Sequence, residues 1–193
     1  MRLGQEVQEV PRRIAAPEPP LSDGVVLLEP ISDRFRPDFE ALPGDPDVLR
    51  YTRVPEQRDG RFVDGWIAGY VQGWRDGARA GFAIVQPGDG AFLGMCGLIR
   101  IEWEMGEAEI GYVVAPAARG RGVAGRAIEL VSRWAFDLGL ARIEAVIDVE
   151  NQPSQKVAER AGYKREGVRR SSYFKEGRRA DMAIYSLLPG DLH

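Results

Sequence analysis

The period of the apolar positions changes several times along the chain, and each change marks an element. Val123, Ala127, Leu130, Val131, Trp134 and Leu138 recur at helical spacing, and Gly139 follows as a stop. Glu129 and Arg133 stand four residues apart on the opposite, polar face of that helix. Residues 143–149 alternate instead, apolar on the odd positions, which predicts a half-buried strand. Upstream, Phe62, Trp66, Ile67, Tyr70, Val71 and Trp74 share one face of a second amphipathic helix. Residues 82–86 and 91–101 read as consecutive strands joined by the turn Pro87-Gly88-Asp89-Gly90, and residues 108–114 as another strand ended by Pro116. A first strand is expected over 25–28, then helical segments over 35–42 and 47–52. Asn151-Gln152-Pro153-Ser154 opens a short helix, with Asn151 as cap and Gly162 as its end. Two extended runs, 168–174 and 180–187, close the chain around the turn Lys175-Glu176-Gly177. No internal repeat is visible. Residues 1–20 contain Pro11, Pro17, Pro19, Pro20 and Arg12-Arg13 and read as a flexible arm, a mobile tail rather than a segment packed on a second subunit. Residues 21–193 then form a single domain.

Composition narrows the chemistry. A chain of 193 residues with 44% hydrophobic content can bury one sizeable core. No apolar run approaches the roughly 20 residues that span a bilayer, and no signal-peptide core precedes the domain, so no membrane partner and a cytoplasmic location are expected. A net charge of −3 argues against nucleic acid as the partner. The basic pairs Arg169-Arg170 and Arg178-Arg179 read as solvated turn charges. The only histidine is His193, and Cys96 is the only cysteine, within the apolar run Leu93-Gly94-Met95-Cys96-Gly97-Leu98-Ile99. A Ser-His-Asp or Cys-His nucleophile is therefore not expected, nor is a metal site. Chemistry must come from carboxylates, hydroxyls, main-chain dipoles or a bound co-substrate.

The segment Arg119-Gly120-Arg121-Gly122-Val123-Ala124 lies between the strand at 108–114 and the long helix. Glycines there let backbone amides approach a ligand, and the helix start directs its unpaired amides to the same place, so a phosphate is the expected ligand. Arg119 and Arg121 add donors matched to phosphate. A P-loop is excluded because no Lys-Ser or Lys-Thr follows. Gly120, Gly122 and Gly125 do spell G-x-G-x-x-G, and Asp148 follows at a suitable distance, yet too few strand–helix alternations surround them for a dinucleotide-binding sheet.

The pattern R-x-x-G-x-A at 119–124, preceded by E-I-G-Y-V-V-A-P and followed by N-Q-P-S-x-x-V-A-E-R-A-G-Y, resembles the GNAT N-acetyltransferases, and among them the RimJ/RimL-type branch. The resemblance is strong over 91–187 and thinner over 25–90. It implies an α/β (α+β) GNAT fold, a mixed, mostly antiparallel sheet of about seven strands flanked by about four helices. A splayed parallel pair, ending at Val114 and Val149, would form the acyl-CoA slot. It further implies acetyl-CoA, or another acyl-CoA such as succinyl-CoA, as co-substrate. Gly120 to Ala124 would hold its pyrophosphate with Arg119 and Arg121, while Tyr112, Val113 and Val114 pair with the pantetheine arm and Asn151 reaches it from the far side.

In such a site a neutral amine attacks the thioester directly. Deprotonation at pH 7 costs about 4 to 5 kcal/mol for a lysine side chain and about 1.4 for an α-amino group, so a weak base suffices for the latter. Glu109 is the candidate base, and Ser154, by its place in the resemblance, the hydroxyl that protonates the leaving thiolate. The amide of Val114 is a candidate oxyanion donor. The competing readings are an exposed strand residue for Glu109 and a simple helix cap for Ser154. Glu102, Glu104, Glu107 and Glu109 would together attract a cationic amine, unless they are only a solvated hairpin edge. Trp66, Trp74 and Tyr51 are candidates for an acceptor pocket or for the core. The acceptor is expected to be a peptide N-terminus or a small-molecule amine, and a homodimer is compatible. The rival functions are a non-catalytic acyl-CoA sensor and a Rossmann-type NAD(P) protein.

Overall fold

The structure, a computed structural model, describes residues 13–56, 59 and 61–192. Seven strands form one mixed sheet in the order β1-β2-β3-β4-β5-β7-β6: β1 Leu27–Pro30, β2 Ala80–Val85, β3 Phe92–Glu102, β4 Glu107–Val114, β5 Arg142–Asp148, β6 Lys164–Lys175 and β7 Arg178–Leu187. Every neighbouring pair is antiparallel except β4 with β5. Among the described residues five α-helices flank it: α1 Arg36–Ala41, α2 Pro46–Tyr51, α3 Arg61–Asp76, α4 Val123–Asp137 and α5 Gln152–Arg160.

Parity decides which face each strand residue serves. On β4 and β5 the buried Ala108, Ile110, Ile143, Ala145 and Ile147 join the cluster that includes Val123, Ala127, Ile128 and Val131 of α4. The opposite face at β2, β3 and β4 packs Ala83, Val85, Met95 and Val113 against Phe39 of α1 and Ile67 and Tyr70 of α3. Trp74 crosses between these regions: its ring meets Phe82 at 5.2 Å and Trp134 at 5.6 Å. Burial of such rings contributes about 25 cal/mol per Å² of apolar surface, so this junction of α3, β2 and α4 fixes the angle between the layers.

Several expectations shift. The first strand starts at Leu27, two residues late, because the Asp23 carboxylate takes the amides of Val25 and Val26, both at 2.9 Å, in a local turn. The expected helix over 35–42 is α1 bracketed by one-turn 3-10 segments, Asp33–Phe35 and Leu42–Gly44, since Pro43 has no amide with which to continue. β6 begins at Lys164 rather than 168; most of its residues are exposed, so it carries no apolar alternation to read. Of the expected N-terminal arm, residues 1–12 lie outside the described residues, and Ile14 is buried, its amide donating to Trp74 O at 3.0 Å. The chain is thus tied to its own core from Ile14 on. Among the described residues no helix is long and apolar enough to cross a membrane.

Candidate active site

The parallel pair holds only at its start. β4 and β5 register Glu107 with Arg142, Ala108 with Ile143 and Glu109 with Glu144, and beyond that point the two strands run on unpaired with each other. The fork leaves one edge of β4 without a strand partner. Ala115 N–H donates to Leu93 O at 2.9 Å, so by strand alternation the amides of Tyr112 and Val114 face away from β3 and into the fork.

The glycine loop closes the open end. Gly120 and Gly122 have φ of 73° and 76°, a conformation that a side chain resists, and α4 starts directly after Gly122. The first helical bond there runs from Arg126 N–H to Gly122 O at 3.2 Å, which leaves the amides of Val123, Ala124 and Gly125 as donors at the helix start. This cradle fits an anion. Arg121 is exposed, its guanidinium 3.4 Å from the Gln86 carboxamide. Arg119 behaves differently from expectation. Its guanidinium bonds the buried Asp45 carboxylate and reaches Asp47 at 3.3 Å, and its Nε donates to Val114 O at 3.3 Å. Its side chain therefore faces the start of α2, where Asp45 also caps the helix through Asp47 N–H at 2.8 Å.

Across the fork stands the first turn of α5. Asn151 Oδ1 accepts from Ser154 N–H at 3.1 Å, as a cap does. The Ser154 hydroxyl lies 2.7 Å from the Tyr112 hydroxyl, which also donates to Ser154 O at 3.0 Å. Burial pushes the Tyr112 pKa up to about 12, against the smaller opposing effect of its bond to Ser154, so the phenol keeps its proton near neutrality. The phenol of Tyr112 escaped the sequence reading, which used only its backbone. The signal was available: Tyr112 shares parity with Ala108 and Ile110 and so points to the face on which α5 lies.

Glu109 is not an exposed strand residue. It sits at the last paired position of the fork, its side chain only 10% exposed, with Arg53 at 3.4 Å and Arg100 at 3.6 Å. The expected acidic patch is largely compensated as well. Arg100 reaches Glu102 at 3.4 Å, while Arg142 bonds Glu144 at 2.8 Å and Glu166 at 2.6 Å and lies 3.9 Å from Glu107. Paired in this way, the hairpin edge is a salt-linked surface more than an attractor of cations. Trp74 belongs to the core, and Trp66 packs edge-on to Phe39 at 4.8 Å, so neither opens a pocket. Cys96 is buried beneath the sheet and burial drives its thiol pKa upward, which removes it as a nucleophile. Among the described residues no group of three or more His, Cys, Asp or Glu side chains could hold a metal ion.

Residues 26–164 match the Acetyltransferase (GNAT) domain family, well over half of the chain. The chain belongs to the GNAT acetyltransferases. It is 31% identical over 145 residues to the uncharacterized N-acetyltransferase p20 of Bacillus licheniformis, covering 75% of this chain and 82% of that protein. It is 30% identical over 151 residues to the putative ribosomal N-acetyltransferase YdaF of Bacillus subtilis, covering 78% of this chain and 74% of that one. Among solved structures, RimL, a ribosomal α-N-protein acetyltransferase in complex with coenzyme A, superimposes with a TM-score of 0.79 at 18% identity, over 88% of this chain and 96% of RimL. Spermidine N-acetyltransferase from Vibrio cholerae, in complex with coenzyme A and spermine, does so with a TM-score of 0.76 at 21% identity, over 88% of this chain and 98% of that one. The sheet order and the forked parallel pair are those of the GNAT fold, the RimJ/RimL-like resemblance holds, and the enzyme class is N-acetyltransferase.

Proposed function

We propose that the protein transfers an acetyl group from acetyl-CoA to a primary amine by direct attack, with an α-amino group as the preferred acceptor. The observation that carries this is the fork between β4 and β5, with Glu109 at its closed end, the Ser154–Tyr112 hydroxyl pair across it and the amide cradle at its open end. The pyrophosphate of acetyl-CoA rests on the amides from Gly120 to Gly125 with Arg121 alongside. The pantetheine arm takes the place of the missing strand beside β4, at Tyr112 to Val114, with the Asn151 carboxamide on the other side.

The amine nitrogen adds to the thioester carbon while a fork-facing main-chain amide of β4 steadies the oxygen. The C–S bond then breaks, and the thiolate takes a proton relayed from water through the Tyr112 and Ser154 hydroxyls, each of which gives one proton and gains one. Glu109 accepts the proton released by the amine, directly or through one water. An α-amino group asks least of this carboxylate, and the largely compensated charge of the rim gives no special attraction to a polycation. The relatives' names, a putative ribosomal N-acetyltransferase and RimL among them, support the same acceptor class.

The test separates catalysis from mere coenzyme binding. With acetyl-CoA and a short peptide bearing a free α-amino group, Glu109→Gln and Ser154→Ala should each slow turnover about tenfold or more while leaving the dissociation constant of acetyl-CoA within about twofold. Failure of the wild-type protein to release CoA with any of a broad panel of amines would return the protein to the sensor reading.

A further inference from the structure

The segment that follows α2 is bonded firmly from the far end of the chain. Lys175, the last residue of β6, directs its ammonium at three carbonyl oxygens, those of Leu49, Thr52 and Val54, the second at 2.9 Å. The Tyr173 hydroxyl donates to the same Thr52 oxygen at 3.2 Å. One residue past the lysine, Glu176 Oε1 accepts the Glu56 amide at 2.7 Å. Glu176 does so from φ 48°, and Gly177 follows at φ 80°, so the two-residue turn between β6 and β7 holds a non-glycine residue in a left-handed conformation.

Chemistry explains why a lysine stands here. Leu49 lies in the last turn of α2, where carbonyls have no partner further along the helix and the dipole favours a cation. Three acceptors converging on one point suit a compact ammonium with three donors, whereas a planar guanidinium spreads its donors along a fork. Partial removal from water lowers the Lys175 pKa. The other end of α2 is fixed too, by Asp45 and its bond to Arg119 of the glycine loop. Between the two pins the chain turns out of the helix and delivers Arg53, whose guanidinium stands 3.4 Å from Glu109.

We propose that Lys175 is a positioning residue of the acceptor wall: its ammonium sets the course of residues 49–54 and thereby places Arg53 against Glu109. This rests on the reading of Glu109 as the base that meets the acceptor. The residue touches neither the reacting atoms nor the coenzyme cradle, so its effect falls on the acceptor side alone.

In the full-length protein, Lys175→Met should raise the KM for a short peptide with a free α-amino group about fivefold or more, with the dissociation constant of acetyl-CoA unchanged within about twofold. Amide hydrogen exchange should quicken about tenfold at residues 49–56 and stay as in the wild type along α4. Lys175→Arg should fail to restore the wild-type KM, because it returns the charge without the converging donors. Tyr173→Phe, which takes one donor from Thr52 and leaves the net charge alone, should give the same split in smaller measure and serves if the methionine variant does not fold. An unchanged KM, full rescue by arginine, or exchange that rises equally in α4 would each overturn the role of Lys175. A wild-type protein that acetylates no amine overturns the function proposed above, a failure distinct from an unchanged exchange pattern in Lys175→Met.

Discussion

The proposed coenzyme wall of the fork and the proposed acceptor wall are made in opposite ways. The first is nearly contiguous: β4, the glycine loop and the start of α4 follow one another between Glu107 and Gly125, and they offer mostly main-chain amides. The second joins parts far apart in sequence by side chains. Lys175 and Leu49 are 126 residues apart, and Arg50 and Glu150, 2.7 Å from each other, are 100 apart. A wall of amides tolerates exchange of most side chains as long as its glycines stay. A wall of long-range side-chain bonds can be rebuilt one residue at a time, so acceptor choice can change while the coenzyme site stands.

The sharpest way to break the comparison is at the glycines. Gly122→Val forces a β-branched residue into a left-handed conformation, a strain of about 1 to 2 kcal/mol, and should weaken acetyl-CoA binding about tenfold by calorimetry. The KM for the amine should hardly move. Asp45→Ala tests a link between the walls. It removes the α2 cap, at about 1 kcal/mol of stability in a denaturant titration, and leaves Arg119 with Asp47 and Val114 O alone. The KM for the amine should rise about threefold, with a smaller effect on the coenzyme. A large change in coenzyme affinity alone would mean that Arg119 serves the cradle after all.

The smallest effect is on pH. Burial raises the pKa values of Tyr112 and Tyr70 from 10.0 to about 12, so the folded state holds these protons more tightly than the unfolded chain does. Their contribution to stability is complete below pH 10 and is lost as the pH rises through about 12. Urea midpoints measured at rising alkaline pH should fall across that window, and Tyr112→Phe should flatten part of the fall. A midpoint that holds steady would contradict the burial of these phenols.

The same division governs how much could be read from the sequence. Helix α4 and strand β5 were legible because apolar period and burial coincide: Ile143, Ala145 and Ile147 are buried on the odd positions expected. The glycine loop was legible because a left-handed backbone before a helix has a spelling. Glu109 and Ser154 could be named as candidates on one element each, but not the partners that define them. Arg53, Arg100 and Tyr112 reach them only after the sheet is assembled. Lys175 was visible merely as a turn residue, since no local pattern distinguishes an ammonium that binds three distant carbonyls from one in water. Arg119 shows the converse: its motif suggests phosphate, and the fold adds bonds to Asp45 and Asp47 that no local pattern announces.

The depth of Cys96 has a practical consequence. With its only thiol buried within β3, the folded protein should stay silent toward colour-forming thiol reagents, so a reaction followed by such a reagent should report free CoA with little background from the enzyme. The same silence makes the chain a clean host for a single engineered cysteine, through which a fluorophore could be attached at the β6–β7 tip to watch acceptors arrive.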